Sequence, residues 1–325
     1  MSANPTFRLA ARLGFATTLL TFALIVIGSV VRTTGSGLAC PDWPLCQGRL
    51  IPPLQFNVMI EWTHRLVALL VSLAMAALAI LTFARAELRA RLGGFMVLAL
   101  CLLALQILLG ALTVWKLLDP SVVSGHLAVA LLIFATLLAY TRSAGIAAEA
   151  DAVQPAARPA GLLPVFASAT ALTYLQAVLG GMVSTHHAGL ACPDWPACFG
   201  EWFPPLQGLV GLQMAHRYGA YLLTALVLVA AAVARSAADR RVRAAGPLAL
   251  ALVVGQVVLG VSNVYLRTPV WLSAAHLATA TALMGVLLSA TMRCAAHPRG
   301  MAAPAPPGSR TRAAGAWRAG EAASS

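Results

Sequence analysis

The chain has 325 residues, 60% of them hydrophobic and only 10% charged, with a mean hydropathy of +0.82. A soluble fold carries about 25% charged residues to cover its surface, so a soluble domain is excluded and the chain is an integral membrane protein. The net charge of +12 would suggest a nucleic-acid partner in a soluble protein, but here the partner is the lipid bilayer, and the arginines serve as orientation signals for membrane helices.

A span needs about 20 mostly apolar residues. In chain order eight stretches qualify, at 12–31, 60–84, 93–115, 121–141, 161–182, 210–234, 244–266 and 270–292. The first follows a short basic segment, but no small-residue cleavage site comes after it, so it is expected to be an anchor and not a signal peptide. Of the 22 Lys and Arg residues, 16 fall before span one, after the even-numbered spans or in the tail. The other six are Arg32, Arg49, Arg65, Lys116, Arg217 and Arg267. The positive-inside rule then puts both termini in the cytoplasm and the loops after spans one, three, five and seven outside.

The chain also repeats itself. GLACPDWPLC at Gly37–Cys46 recurs as GLACPDWPAC at Gly189–Cys198, and Pro52-Pro-Leu-Gln recurs at Pro204, both at an offset of 152. His64-Arg65 maps onto His216-Arg217 at the same offset, while QILLG (Gln106–Gly110) and His126 map onto QVVLG (Gln256–Gly260) and His276 at an offset of 150. An even number of spans per half gives both halves one orientation. The expected fold is all-α, two parallel-repeat four-helix bundles: an N-terminal half at 1–142, a cytoplasmic linker at 143–160, a C-terminal half at 161–293 and a disordered tail from 294 to 325.

Four of the seven histidines lie inside spans, at equivalent places in the two halves. A single intramembrane His is often satisfied by a neighbouring helix, but repeat-related pairs point to function. Two imidazoles at equal depth on alternate helices of a bundle can clamp a planar metal macrocycle, and haem iron accepts axial imidazole. This predicts two sites, His64/His126 and His216/His276. Zinc suits them less, because no Cys or carboxylate quartet completes a tetrahedron; a His-lined transport path stays open.

The halves differ at Glu61, three residues before His64 and on the same helix face, whose counterpart is Gln213. A carboxylate in the membrane is costly. Glu61 therefore points to chemistry in the first half, as a proton acceptor or electrostatic stabiliser, against the alternative that it faces headgroups or pairs with Arg65. Arg65 and Arg217 have two uses open to them, reaching the carboxylates of a bound haem or anchoring at the interface.

Cys40/Cys46 and Cys192/Cys198 are spaced C-x5-C in outward loops, where disulfides are permitted, and two intraloop bridges are expected. A loop staple and a dithiol relay are both compatible with them. Cys101 and Cys294 read as packing residues, Trp43 and Trp195 as interfacial residues, and the loop pair His186-His187 as solvated.

Taken together, EWTHR at Glu61–Arg65, the first cysteine pair, Gly125-His126, AHR at Ala215–Arg217 and AAH at Ala274–His276, in this order over eight spans, resemble the haem A synthases of bacterial membranes and mitochondria. The resemblance covers almost the whole chain. It implies oxidation of a rim methyl group of haem O to a formyl for terminal oxidases, with haem O at His64/His126, Glu61 as the essential acid and a haem b at His216/His276. It also implies the bacterial inner membrane as location, a haem O synthase upstream, terminal oxidase assembly downstream, and electron exchange with a membrane or extracytoplasmic partner. The second CPDWPxC loop and His186-His187 depart from the simplest family pattern. The competing reading is a bis-histidine b-type cytochrome that exchanges electrons with quinone and leaves its haem unmodified.

Overall fold

A computed structural model describes residues 4–149 and 161–296. The described residues form eight α-helices, α1 (Pro5–Thr33), α2 (Phe56–Ala84), α3 (Ala86–Trp115), α4 (Pro120–Glu149), α5 (Leu162–Thr185), α6 (Gly208–Ala234), α7 (Arg240–Tyr265) and α8 (Val270–Ala296), plus a 3₁₀ turn at Ala188–Leu190. All eight are long and apolar enough to cross a membrane. The helices overrun the predicted spans because a transmembrane helix continues into the headgroup region, where Arg8, Arg89 and Arg240 are tolerated. Caps fix two of the starts: the Asn4 side chain accepts from Thr6 N, and the Asp239 side chain from Arg241 N.

The predicted linker begins inside a helix. Residues 143–149 continue α4, with Ala144 and Ala148 buried against its neighbours; residues 150–160 lie outside the described residues. α8 likewise runs to Ala296, and 297–325, nearly all of the predicted tail, lie outside them.

Contacts run in two rings, α1 to α2 to α3 to α4 and back to α1, and α5 to α6 to α7 to α8 and back to α5. The rings meet through α1, α4, α5 and α8. Lipid supplies no hydrophobic drive between helices, so small residues and interhelical hydrogen bonds must hold them. A Cβ on Gly14 would lie 2.6 Å from Thr141 Oγ1, so α1 and α4 meet closely only because residue 14 is glycine. Hydroxyl pairs cross the other contacts: Thr82 to Tyr140 at 2.7 Å, Ser124 to Thr185 at 2.9 Å and Thr170 to Thr291 at 3.1 Å. At the end away from the cysteine loops, Arg241 and Arg293 both pair with Glu149, at 2.8 and 3.1 Å. Of the two cysteines expected to be packing residues, Cys294 is buried, but Cys101 is exposed on the outside of α3, where lipid and not protein would cover it.

Candidate functional site

A cavity of about 1280 Å³ opens between the helices near the cysteine-loop end. Pockets for drug-sized ligands run to about 1,000 Å³, so this one has room for more than a single small molecule. His64, His126, His216 and His276 all line it, with Glu61, Arg65 and Arg217 beside them. His64 and His216 each lie eight residues into α2 and α6, about 12 Å along the axis, while His126 and His276 lie six residues into α4 and α8, about 9 Å along it.

Each imidazole rests on a glycine of the neighbouring helix. A Cβ would come within 3.2 Å of the His64 ring at Gly28, 3.3 Å of His126 at Gly110, 2.9 Å of His216 at Gly180 and 3.1 Å of His276 at Gly260. Sequence reasoning singled out none of the four as site residues, although Gly110 and Gly260 close the repeated QxxLG motif and Gly28 and Gly180 stand at the 152 offset. That offset was the available signal. Gln176 was missed as well; it contacts His216 and has no polar counterpart in the first half.

The donor set fits a haem. Nδ1 of His64, His126 and His276 is closed off from solvent and meets no partner in the protein. The His216 and His276 ring centres are 6.4 Å apart. Two imidazoles bound to opposite sides of one metal ion at about 2 Å each would hold their ring centres about 6 Å apart, so this spacing admits one ion between them. Among the described residues no three His, Cys, Asp or Glu side chains converge to form a tighter ion site. Gln106 Nε2 lies 3.3 Å from His126 Nε2, and the Oε1 atoms of Gln106 and Gln256 are buried without a partner.

Glu61 does pair with Arg65. The carboxylate is 4% exposed; one oxygen takes Arg65 Nη2 at 2.5 Å and the other accepts the Cys40 N–H at 2.8 Å. Arg65 gives its remaining terminal N–H groups to the carbonyls of Asp42 (2.6 Å), Leu45 (2.5 Å) and Cys40 (2.9 Å). Arg217 makes the same clamp, to Asp194 O at 2.7 Å, Ala197 O and Cys192 O at 2.8 Å. Neither arginine snorkels outward, and most of each fork is committed to backbone carbonyls. Arg65 keeps Nε alone for a haem carboxylate; Arg217, which faces Gln213 instead of a carboxylate, keeps one Nη2 hydrogen as well.

What the arginines hold are the cysteine loops. Both expected disulfides are present, Cys40–Cys46 and Cys192–Cys198, with Cα separations of 4.6 and 4.9 Å. Cys46 bridges to Arg49 and Cys198 to Glu201 in antiparallel fashion, and the Trp43–Pro44 and Trp195–Pro196 peptides are both cis. Asp42 accepts from Gly48 N at 2.7 Å and Gln47 N at 2.5 Å, and Asp194 from Gly200 N at 2.8 Å and Phe199 N at 2.7 Å. These backbone donors, the glycine N–H first, hold both carboxyls below the usual aspartate range. Gln47 and Phe199 both have φ near +50°, at 54° and 53°, which aims the chain at the aspartate. Trp43 packs edge-on against Trp115 at 6.3 Å, and Trp43 and Trp195 line the cavity. His186 is exposed, its Nδ1 2.9 Å from Met182 O; His187, also exposed, lies on the cavity's rim.

The sequence pattern of the COX15-CtaA family, cytochrome oxidase assembly proteins, matches residues 11–59 and 53–288. The chain belongs to this family. Among similar proteins, the heme A synthase of Bacillus licheniformis is 31% identical over 85% of this chain and 92% of its own. That of Symbiobacterium thermophilum is 33% identical over 75% and 82%, and that of Shewanella oneidensis 30% identical over 84% and 93%. Family membership covers both rings of helices, so the cavity and its four histidines lie within the matched region.

Proposed function

We propose that the chain is a haem A synthase, which oxidises the rim methyl group of haem O to the formyl of haem A for terminal oxidases. The observation that carries this is a single cavity shared by four imidazoles from alternate helices and one buried carboxylate, in a chain whose relatives are heme A synthases. The competing b-type cytochrome accounts for the imidazoles but not for Glu61 or for those relatives.

In this reading haem O is the substrate, held by His64 and His126, and a haem b is resident at His216 and His276. Haem iron supplies the redox chemistry when bound. The protein's own groups orient, enclose and accept protons. Turning a methyl into a formyl takes four electrons from the carbon and adds an oxygen; with water as the oxygen source the electrons would leave through the haem iron to the electron-transfer partner, and the released protons need an acceptor nearby. Glu61, one helical turn from His64, is that acceptor, and Arg65 with the Cys40 N–H fixes its two oxygens. Arg217, with donors to spare, is the better of the two arginines for a haem carboxylate.

The finer architecture follows from the repeat. α1–α4 and α5–α8 are parallel copies, the first catalytic and the second cofactor-binding, with residues 150–160 joining them and a cytoplasmic tail after 296. The two rings of contacts and the arginine distribution support this. Both termini face the cytoplasm of a bacterium and the cysteine loops face outward from its inner membrane. Haem O arrives laterally from a haem O synthase, and electrons pass to a membrane or extracytoplasmic partner.

Expression in a host that makes haem O, followed by pigment extraction, tests the proposal. Haem A or its hydroxylated intermediate is the expected product; haem B and haem O alone would overturn it.

A further inference from the structure

The cavity does not end alike in the two halves. In the first it runs out between α2 and the cysteine loop, bordered by Pro44, Leu45, Leu50, Trp62, Leu66 and Leu69. At the repeat offset of 152 these residues become Pro196, Ala197, Trp202, Met214, Tyr218 and Tyr221, and of those only Tyr221 borders the cavity. Trp62, Leu66 and Leu69 recur at i, i+4 and i+7, which makes them one stripe of α2. Arg65 and Ala68 lie between that stripe and His64 and border the cavity too, so the space wraps from the imidazole round the helix to its outer side.

Two tyrosines close the same place in the second half. Tyr221 donates its hydroxyl to Pro196 O at 2.8 Å and Tyr218 donates to Trp202 O at 2.6 Å, and Tyr218 also packs on Phe203 with ring centres 6.1 Å apart. Met214, on the same stripe of α6, is wholly buried with Cys192 and Cys198. In the first half Trp62 Nε1 still donates to Leu50 O, at 2.8 Å, but Leu69 has no group with which to reach Pro44 O. Leu66 is 38% exposed and Leu69 54%. On a membrane helix such exposure faces lipid, so the first half has an apolar slot from the histidine cavity to the bilayer where the second has a tyrosine wall. Arg49, exposed at the loop edge of the slot, keeps its charge in the headgroup region.

Building on the haem A synthase reading, we propose that this slot passes the isoprenoid chain of haem O from the first site into lipid, and that Tyr218 and Tyr221 bar the chain from the second. Haem O differs from haem B in carrying that long chain on its ring. The chain gains little by exchanging lipid for an apolar wall, since the two are equally apolar. The slot therefore selects by room and not by attraction: a tailed ring seats at His64 because its chain has a way out, and it is refused where the exit is filled. The second site thereby takes an untailed haem alone, and the sorting rests on positions 66 and 69 against 218 and 221.

The test uses the full-length protein in detergent, expressed without haem O and purified with its second haem in place. It is titrated with haem O and separately with haem B while the Soret band is followed. Leu69→Tyr, which installs the second-half residue, is expected to weaken haem O at the first site at least about tenfold and to leave haem B there unchanged. The opposite change, Tyr218→Leu with Tyr221→Leu, does not depend on the Leu69 variant folding. Made in a His64→Ala background and expressed in a host that makes haem O, it is expected to add haem O to the haem B extracted from the purified protein.

Unchanged haem O affinity in Leu69→Tyr, the result if only a lipid or detergent chain fills the slot, would overturn the proposal. So would equal weakening of haem O and haem B, which marks damage to the ring site, or haem B alone in the opened second site. His64→Ala by itself separates the two levels. If it binds haem O as wild type does, the assignment of substrate to the first site fails; if it loses haem O while Leu69→Tyr binds as wild type, only the slot fails.

Discussion

The cysteine loops at 40–49 and 192–201 share a disulfide, an aspartate turn, an antiparallel bridge and an arginine clamp, yet they rest on different side chains. Under the first loop, Glu61 accepts the Cys40 N–H and the Arg65 guanidinium. Under the second, Gln213 reaches only Gly189 O, at 3.3 Å, and its own Oε1 is buried without a partner. The second loop folds the same way with its arginine clamp but without a carboxylate beneath it. Folding of the loop therefore does not call for the Glu61 carboxylate, which supports the proposal that the first half carries the chemistry.

The largest effects should come from the histidines, and they should divide by half. His64→Ala and His126→Ala are expected to abolish haem A while the protein keeps a haem b; His216→Ala and His276→Ala are expected to lose that haem b. Haem extraction with the Soret spectrum of each purified variant checks this, and loss of the same haem from all four would erase the division. Next in size is Glu61→Gln, which installs the second-half residue. It should lower haem A yield by roughly 10²- to 10⁴-fold, the range of a lost general base, with haem b retained. Gln213→Glu should add no activity. Unchanged haem A in Glu61→Gln would reduce the carboxylate to a loop support.

The disulfides should behave alike in both halves. Closing so short a loop stabilises by about 2 kcal/mol, so Cys40→Ser and Cys192→Ser should each lower stability by about that amount in a detergent denaturation series. A loss of haem A in Cys40→Ser well beyond this common destabilisation would turn the first bridge from a staple into a redox element.

The eight helices were legible from hydropathy alone, because a membrane span is dictated by length and apolarity. Their ends were less so: charged residues at the interface stop the hydropathy count, but not the backbone hydrogen bonding, as α4 shows beyond Arg142. The histidine pairs were legible because they repeat. The Arg65 clamp was not, since its partners are backbone carbonyls of a loop some 20 residues away, as Leu45 O shows, and carbonyls have no sequence signature. Gly28 and Gly180 were hidden by the ordinary frequency of glycine in membrane helices. Gln176 was hidden because it has no repeat partner, the equivalent position 24 being leucine.

The smallest expected effect is that of pH on the loops, and it should again be equal in the two halves. Asp42 and Asp194 have folded pKa values below the usual aspartate value of about 3.9. A depressed carboxyl contributes its stability above the unfolded pKa and loses it as pH falls through the folded one. Both loops should therefore hold their turns through neutral and mildly acidic conditions and loosen only below about pH 4. The Gly48 and Gly200 amide protons report this directly, since each is donated to the titrating carboxylate. Their resonances should move together in a proton NMR titration, with midpoints below about 4. A midpoint near 5 at Gly48 but not at Gly200 would show that the first loop is weakened by its place above the chemistry, and the two loops would cease to be equivalent.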